Sequence, residues 1–198
     1  PLTDEVTPCP AGATDCLQKV MIDTTAYPDA RCNDGSPAVM YVRTNPESSH
    51  WLMHLQAGGD CNSYDSCYQR WCGLDAYSAS KMSTWHTPEA MAATGIFQDD
   101  PSNMFRTWNV VYGYYCSSDN WRGTAGEQGF LSYRPWQGLV GLSVLFNGYA
   151  IVDAMFGTLQ SGGVVTTAAG SEMDVPDLDQ ASQVVFSLSS AGSIGLRF

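Results

Sequence analysis

An α/β layered domain pinned by disulfides is the fold class that this 198-residue sequence predicts. Three observations lead there. Short apolar runs that read as strands flank a long apolar segment with 3–4 spacing that reads as helix. Three of the strands run into small, polar or Gly-rich loops. All seven cysteines lie in the first 116 residues. In open α/β sheets ligands sit beyond the carboxyl ends of strands, so those loops are the place to look for chemistry.

In chain order, residues 1–37 are rich in Pro, Gly, Asp and Thr, carry three cysteines, and predict an irregular arm. Asp34-Gly35-Ser36-Pro37 is a turn signal, and Ala38 to Arg43 follows as a strand. Trp51 to Gln56 is a second strand, ending at Ala57-Gly58-Gly59-Asp60. Short helices tied by cysteines are expected from Asp60 to Lys81. Asn109 to Tyr115 is a third strand, ending at Cys116-Ser117-Ser118-Asp119. The spacing of Leu139, Leu142, Leu145, Ile151, Val152, Met155 and Leu159 predicts a helix from about Gln137 to Leu159, stopped by Gly162-Gly163. Residues 161–181 read as a long loop, and Gln183 to Leu188 as the fourth strand.

Composition narrows the function classes. Hydrophobic residues make up 44%, enough for a packed core and too many for a disordered chain. A formal net charge of −11 disfavours nucleic acid or an anionic membrane as main partner, because phosphate binding needs basic patches. No apolar run is long enough for a membrane-spanning helix. The cysteines form no CxxC pair, and His50, His54 and His86 complete no zinc spacing, so neither metal nor cofactor is expected. A disulfide framework in a secreted or periplasmic protein is the better reading, with an odd thiol left over. A start at Pro1 with no basic-then-apolar leader fits a processed chain.

Two segments carry chemistry. Ser187-Leu188-Ser189-Ser190-Ala191-Gly192-Ser193 follows a strand and precedes a helical turn. A sharp strand-to-helix turn lifts a serine above the sheet, as the nucleophile elbow of α/β-hydrolases does. Small neighbours suit that turn, and they leave Ser189 and Ser190 both open as the nucleophile. Ala57-Gly58-Gly59-Asp60 lets backbone N–H groups point at a developing oxyanion. The histidines read as surface or packing residues, and the His–Asp–Ser order of chymotrypsin-type enzymes lacks its GDSGG-like block.

The sequence resembles the pectin acetylesterase/Notum family of secreted α/β-hydrolase-like carboxylesterases. The matching blocks are Cys32-Asn33-Asp34-Gly35-Ser36-Pro37, Trp51-Leu52 through Gly58-Gly59 to Cys61 and Cys67, and Gly95-Ile96. Asn103, Phe105, Trp108-Asn109 and Tyr115-Cys116-Ser117-Ser118-Asp119 with Trp121 and Gly123 follow. Phe146-x-Gly148 and Ser189-Ser190-Ala191-Gly192 close the series. The resemblance implies the N-terminal portion of an α/β-hydrolase-like fold over 32–198, with a mostly parallel sheet and flanking helices. It matches Ser190 to the nucleophile, and the N–H groups of Ala191, Gly59 and Asp60 to the oxyanion hole. Asp60 stands where Trp is common, so its carboxylate must point away from that hole; Leu188 and Ser193 replace family glycines. Cys32–Cys116 and Cys61–Cys67 match family disulfides, Cys9–Cys16 is a local bridge, and Cys72 is left over. The loop closed by Cys32–Cys116 is worth roughly 4–5 kcal/mol in the chain-entropy model.

In the resembling fold the acid and base follow the serine, yet only eight residues follow Ser190 and none is His, Asp or Glu. A C-terminal chain from the same precursor is therefore expected as partner. Asp119 and Trp121, carried toward the site by the third strand, are the expected pocket residues. The implied substrate is an ester of an acylated carbohydrate, a lipid or a polyester.

Overall fold

The computed structural model describes residues 6–74, 79–160 and 162–195. Ten strands and three α-helices occur among them. Their order is β1 (Leu17–Met21), β2 (Val39–Arg43), β3 (His50–Leu55), α1 (Tyr64–Trp71), β4 (Ala90–Met91), β5 (Asn109–Gly113), β6 (Gly126–Arg134), β7 (Gly138–Phe146), α2 (Gly148–Leu159), β8 (Gly163–Thr166), β9 (Glu172–Val175), β10 (Gln183–Leu188) and α3 (Ala191–Gly195).

Six strands form one sheet in the order β10-β3-β5-β2-β1-β4. β3 lies parallel to both β10 and β5. β5–β2, β2–β1 and β1–β4 are antiparallel. The sheet is thus mixed rather than mostly parallel, and its parallel half is the half that carries the serine. The central strands are buried on both faces, which explains their unbroken apolar runs: Val39, Met40, Tyr41 and Val42 are all fully buried. Helix α2 packs Ile151, Val152, Met155 and Leu159 into this core. Gly113 makes room for it, since a β-carbon there would sit 2.8 Å from Met155 Cε.

The expected strands appear within one or two residues of their predicted ends, and β10 coincides with its prediction. Three further expectations are corrected. The segment 1–37 is not wholly irregular, because β1 enters the sheet beside β2. The helix expected over 137–159 begins only at Gly148; its first half is β7, paired with β6 from Gly126↔Phe146 to Arg134↔Gly138. The loop expected over 161–181 contains the β8–β9 hairpin.

Three disulfides join Cys9–Cys16, Cys32–Cys116 and Cys61–Cys67, and Cys72 is an exposed free thiol. Among the described residues no helix is long and apolar enough to cross a membrane.

Candidate active site

The site forms where parallel strands β3 and β10 end side by side, with Leu188 opposite Leu55. Beyond Leu188 the chain turns sharply. Ser190 adopts φ +45°, a left-handed conformation that non-glycine residues rarely take, whereas Ser189 does not. Helix α3 starts at the next residue. Gly192 N–H donates to Ser189 O and Ser193 N–H to Ser190 O, which closes the turn. The turn lies tight against β3: a β-carbon on Gly192 would fall 2.1 Å from Leu55 O. Ser190 itself is exposed at the edge. Strain of this kind costs of order 1–3 kcal/mol and concentrates at functional sites.

Beyond Leu55 the loop 56–60 is anchored from below. Gln56 is buried; its side-chain oxygen accepts from Tyr115 N–H at 3.0 Å and its carbonyl from Trp121 Nε1 at 3.0 Å. A β-carbon on Gly58 would meet the Tyr115 ring at 2.4 Å, so only glycine fits. The buried Arg70 guanidinium donates to Gly58 O, and the Tyr115 hydroxyl donates to Gly59 O at 2.7 Å. In a trans peptide the C=O and the following N–H point in opposite directions. Tying both carbonyls inward therefore turns the N–H groups of Gly59 and Asp60 outward. Neither donates to another described residue, and nor does Ala191 N–H at the start of α3. The Asp60 carboxylate is engaged sideways, accepting from Asn120 Nδ2 at 2.6 Å. Burial pushes the Tyr115 phenol up, so it stays protonated and keeps its donor role.

A second loop braces the first. Ser118, Asn120 and Trp121 all have positive φ. The Asp119 carboxylate holds this strained stretch together: it accepts from Ser117 Oγ at 2.6 Å, Trp121 N–H at 3.0 Å and Gly148 N–H at 2.7 Å. The last bond caps α2, whose own N-cap residue, Asn147, makes no side-chain cap. Burial raises the Asp119 pKa, with the hydrogen bonds opposing that rise. Cys61 N–H donates to Ser118 O, linking the two loops, and Cys116 ties the end of β5 back to Cys32.

The pocket role expected of Asp119 and Trp121 is not what these side chains do. Trp121 is 1% exposed, packed against Tyr115 and Gly195, and the Asp119 oxygens are consumed by internal donors. Both position the loops from within. The sequence reading missed Gln56, Arg70 and Tyr115 as supports, and their role comes from contacts between distant segments. Among the described residues no hydrogen bond joins a histidine to Ser190. His54 lies against Tyr112 and Phe97 with Nδ1 3.2 Å from Ser187 Oγ, and His50 sits at the opposite end of β3 against Trp108.

A left-handed serine between a parallel strand and a helix, beside a glycine loop with outward N–H groups, defines an α/β-hydrolase-like fold. The family model described as Pectinacetylesterase matches residues 12–197, and the chain belongs to that family. It is 29% identical over 164 residues to the palmitoleoyl-protein carboxylesterase NOTUM of Mus musculus, covering 82% of this chain and 30% of that protein. It is 31% identical over 139 residues to the inactive palmitoleoyl-protein carboxylesterase notum1b of Danio rerio, covering 66% of this chain and 96% of that one. The structure of the Wnt deacylase Notum from Drosophila aligns with a TM-score of 0.66 and 26% identity, over 91% of this chain and 45% of that one. The chain thus spans less than half of the active relatives' length.

Proposed function

We propose that this chain carries the nucleophile and oxyanion hole of a secreted or periplasmic serine carboxylesterase. The observation that carries this reading is the left-handed Ser190 after β10, at the end of the sheet where β3 runs into the loop whose Gly59 and Asp60 N–H groups, like that of Ala191, have no partner among the described residues. In this mechanism Ser190 Oγ attacks the ester carbonyl and gives its proton to a histidine base. The carbonyl electrons move onto oxygen, where the N–H groups stabilise the negative charge. Collapse of the intermediate expels the alcohol, which takes up the proton, and leaves acyl-Ser190. Water then releases the acid by the same steps. The base and its acid come from residues outside these 198. The greater length of the active relatives supports that arrangement.

The substrate class is an O-acyl ester, O-acetylated polysaccharide first and fatty-acyl or polyester bonds next. The family description supports the polysaccharide ester and the relatives' names the fatty-acyl one. Three disulfides support an oxidising compartment.

The test is labelling of native protein with a fluorophosphonate, followed by peptide mapping. An adduct on Ser190, lost in Ser190→Ala together with short-ester hydrolysis, is the expected outcome; an adduct on Ser189 refutes the assignment. The second reading is a non-catalytic binding protein that keeps the esterase scaffold. The name of the zebrafish relative favours it. Absence of any adduct from native protein decides for that reading.

A further inference from the structure

Segment 83–87 is held rigidly against the turn before β2. Thr84 N–H donates to Ser36 Oγ, Thr84 Oγ1 donates to Pro37 O, and Thr87 Oγ1 donates to Thr84 O. Ser83 Oγ accepts from Trp85 N–H. This frame presents the Trp85 indole to solvent at 79% exposure. Trp71, at the end of α1, is 42% exposed. The two indoles line one cleft of about 430 Å³, together with Tyr114, and Asp34, Ser83 and His86 supply polar groups. That volume lies within the usual range for small-ligand sites.

Several polar groups in this cleft have no partner among the described residues, whereas Ser83 Oγ accepts from Trp85 N–H and the Tyr114 hydroxyl donates to Ser80 O. Neither indole N–H nor the His86 ring bonds to another described residue. Asp34 Oδ1 accepts from Ser36, while Oδ2 has no partner among the described residues. An acyl chain here would strand a carboxylate, an imidazole and two indole N–H groups against hydrocarbon. A polyanion would meet a carboxylate, with no Lys or Arg among the described lining residues and a chain charge of −11. A neutral pyranose suits both features: its C–H face covers an indole face, and its hydroxyls reach the surrounding donors and acceptors.

The cleft also lies on the serine's edge of the sheet. Tyr114 follows β5, the parallel neighbour of β3, and the next residue, Tyr115, supports the Gly58-Gly59 loop. Asp34 lies in the turn before β2, whose first residues pair with the end of β5.

We infer that this cleft is a subsite for a neutral pyranose ring of the substrate, several strands along the edge from Ser190. The inference rests on the esterase reading only for calling the ligand a substrate. Binding itself is tested on the full-length Ser190→Ala protein, by tryptophan emission and calorimetry. The probes are cellohexaose, xylohexaose and mannohexaose, with hexagalacturonate and palmitoleate as comparators. The expected result is that at least one neutral hexasaccharide binds, and that Trp85→Ala and Trp71→Ala each weaken it at least tenfold. Binding of none of the neutral sugars, unaltered affinity in Trp85→Ala, or binding of only hexagalacturonate or palmitoleate would overturn the inference. A missing fluorophosphonate adduct with intact sugar binding would instead refute only the esterase reading.

Discussion

The serine edge of the sheet and the β6–β7 hairpin are both built from apolar strands, yet they bury them differently. At the edge, β3 and β5 are covered on both faces, and every loop beyond them is fastened to another: Tyr115 and Arg70 to Gly58-Gly59, Asp119 to Trp121 and Gly148. In the hairpin, Phe130, Leu142, Val144 and Phe146 turn inward with Cys61, Cys67 and Met82, and Arg134 pairs with Asp65 of α1. The other face leaves Leu131, Tyr133 and Leu139 exposed, with Trp136 at the tip 96% exposed. Strain at the edge persists because surrounding contacts over-determine it. Within the hairpin only Gly126 and Gly138 take positive φ, so no residue with a side chain is strained there in that way.

Substitutions can break or sharpen this contrast. The largest effect is expected from Cys32→Ser with Cys116→Ser. Opening a bridge across 84 positions should cost about 4–5 kcal/mol, read by urea unfolding under oxidising conditions. A loss below about 1 kcal/mol would mean that the noncovalent contacts alone hold the edge.

Next comes Gly192→Ala. Its methyl would collide with Leu55 O, so α3 must move off β3. The expected cost is about 2–3 kcal/mol in stability. Ester turnover should fall about 100-fold, since displacements near 1 Å carry such penalties. Unchanged turnover would detach the elbow's tightness from its chemistry.

Asp119→Asn follows, at about 1–3 kcal/mol, because an amide nitrogen would face donors that the carboxylate now accepts. Its pH dependence has a defined sign. Burial raises the folded-state pKa above the ordinary 3.8, so the folded state holds this proton more tightly than the unfolded state does. The stability linked to this proton is full below 3.8 and is lost as pH rises through the raised value. The advantage of the native protein over Asp119→Asn should therefore grow on acidification from neutral pH toward 3.8. A gap in melting temperature that stays constant or shrinks would contradict the raised pKa.

The smallest effect is expected from Leu131→Lys with Leu139→Lys on the outer hairpin face, within about 0.5 kcal/mol per site. A loss above about 2 kcal/mol in total would show that this face packs against something in the intact protein.

Much of the sheet was legible in the sequence because a strand covered on both faces leaves an unbroken apolar run, and a polar or glycine-rich loop marks its end. Trp51 to Leu55 and Asn109 to Gly113 follow that rule, while Gln183 to Leu188, an edge strand with no buried residue, was legible from its apolar run and the small polar loop after it. Cys32–Cys116 and Cys61–Cys67 were legible only through family resemblance, since spacing alone leaves pairings open, whereas Cys9–Cys16 was read as a local bridge. The hairpin was misread for a physical reason. Leu139, Leu142 and Leu145 recur every three residues, while Val140, Leu142, Val144 and Phe146 alternate. The same nine residues satisfy a helix period and a strand period. Pairing with β6 and burial of the alternate face select the strand.

Local chemistry likewise placed a serine at a strand-to-helix turn but left Ser189 and Ser190 both possible, because small residues flank each. The tertiary structure assigns the left-handed conformation to Ser190, through closure of α3 against the end of β3. It also turned Asp119 and Trp121 from expected pocket residues into internal supports. No local pattern announces such a role. A buried carboxylate finds its donors in segments up to 29 positions away, and only the folded chain brings them together.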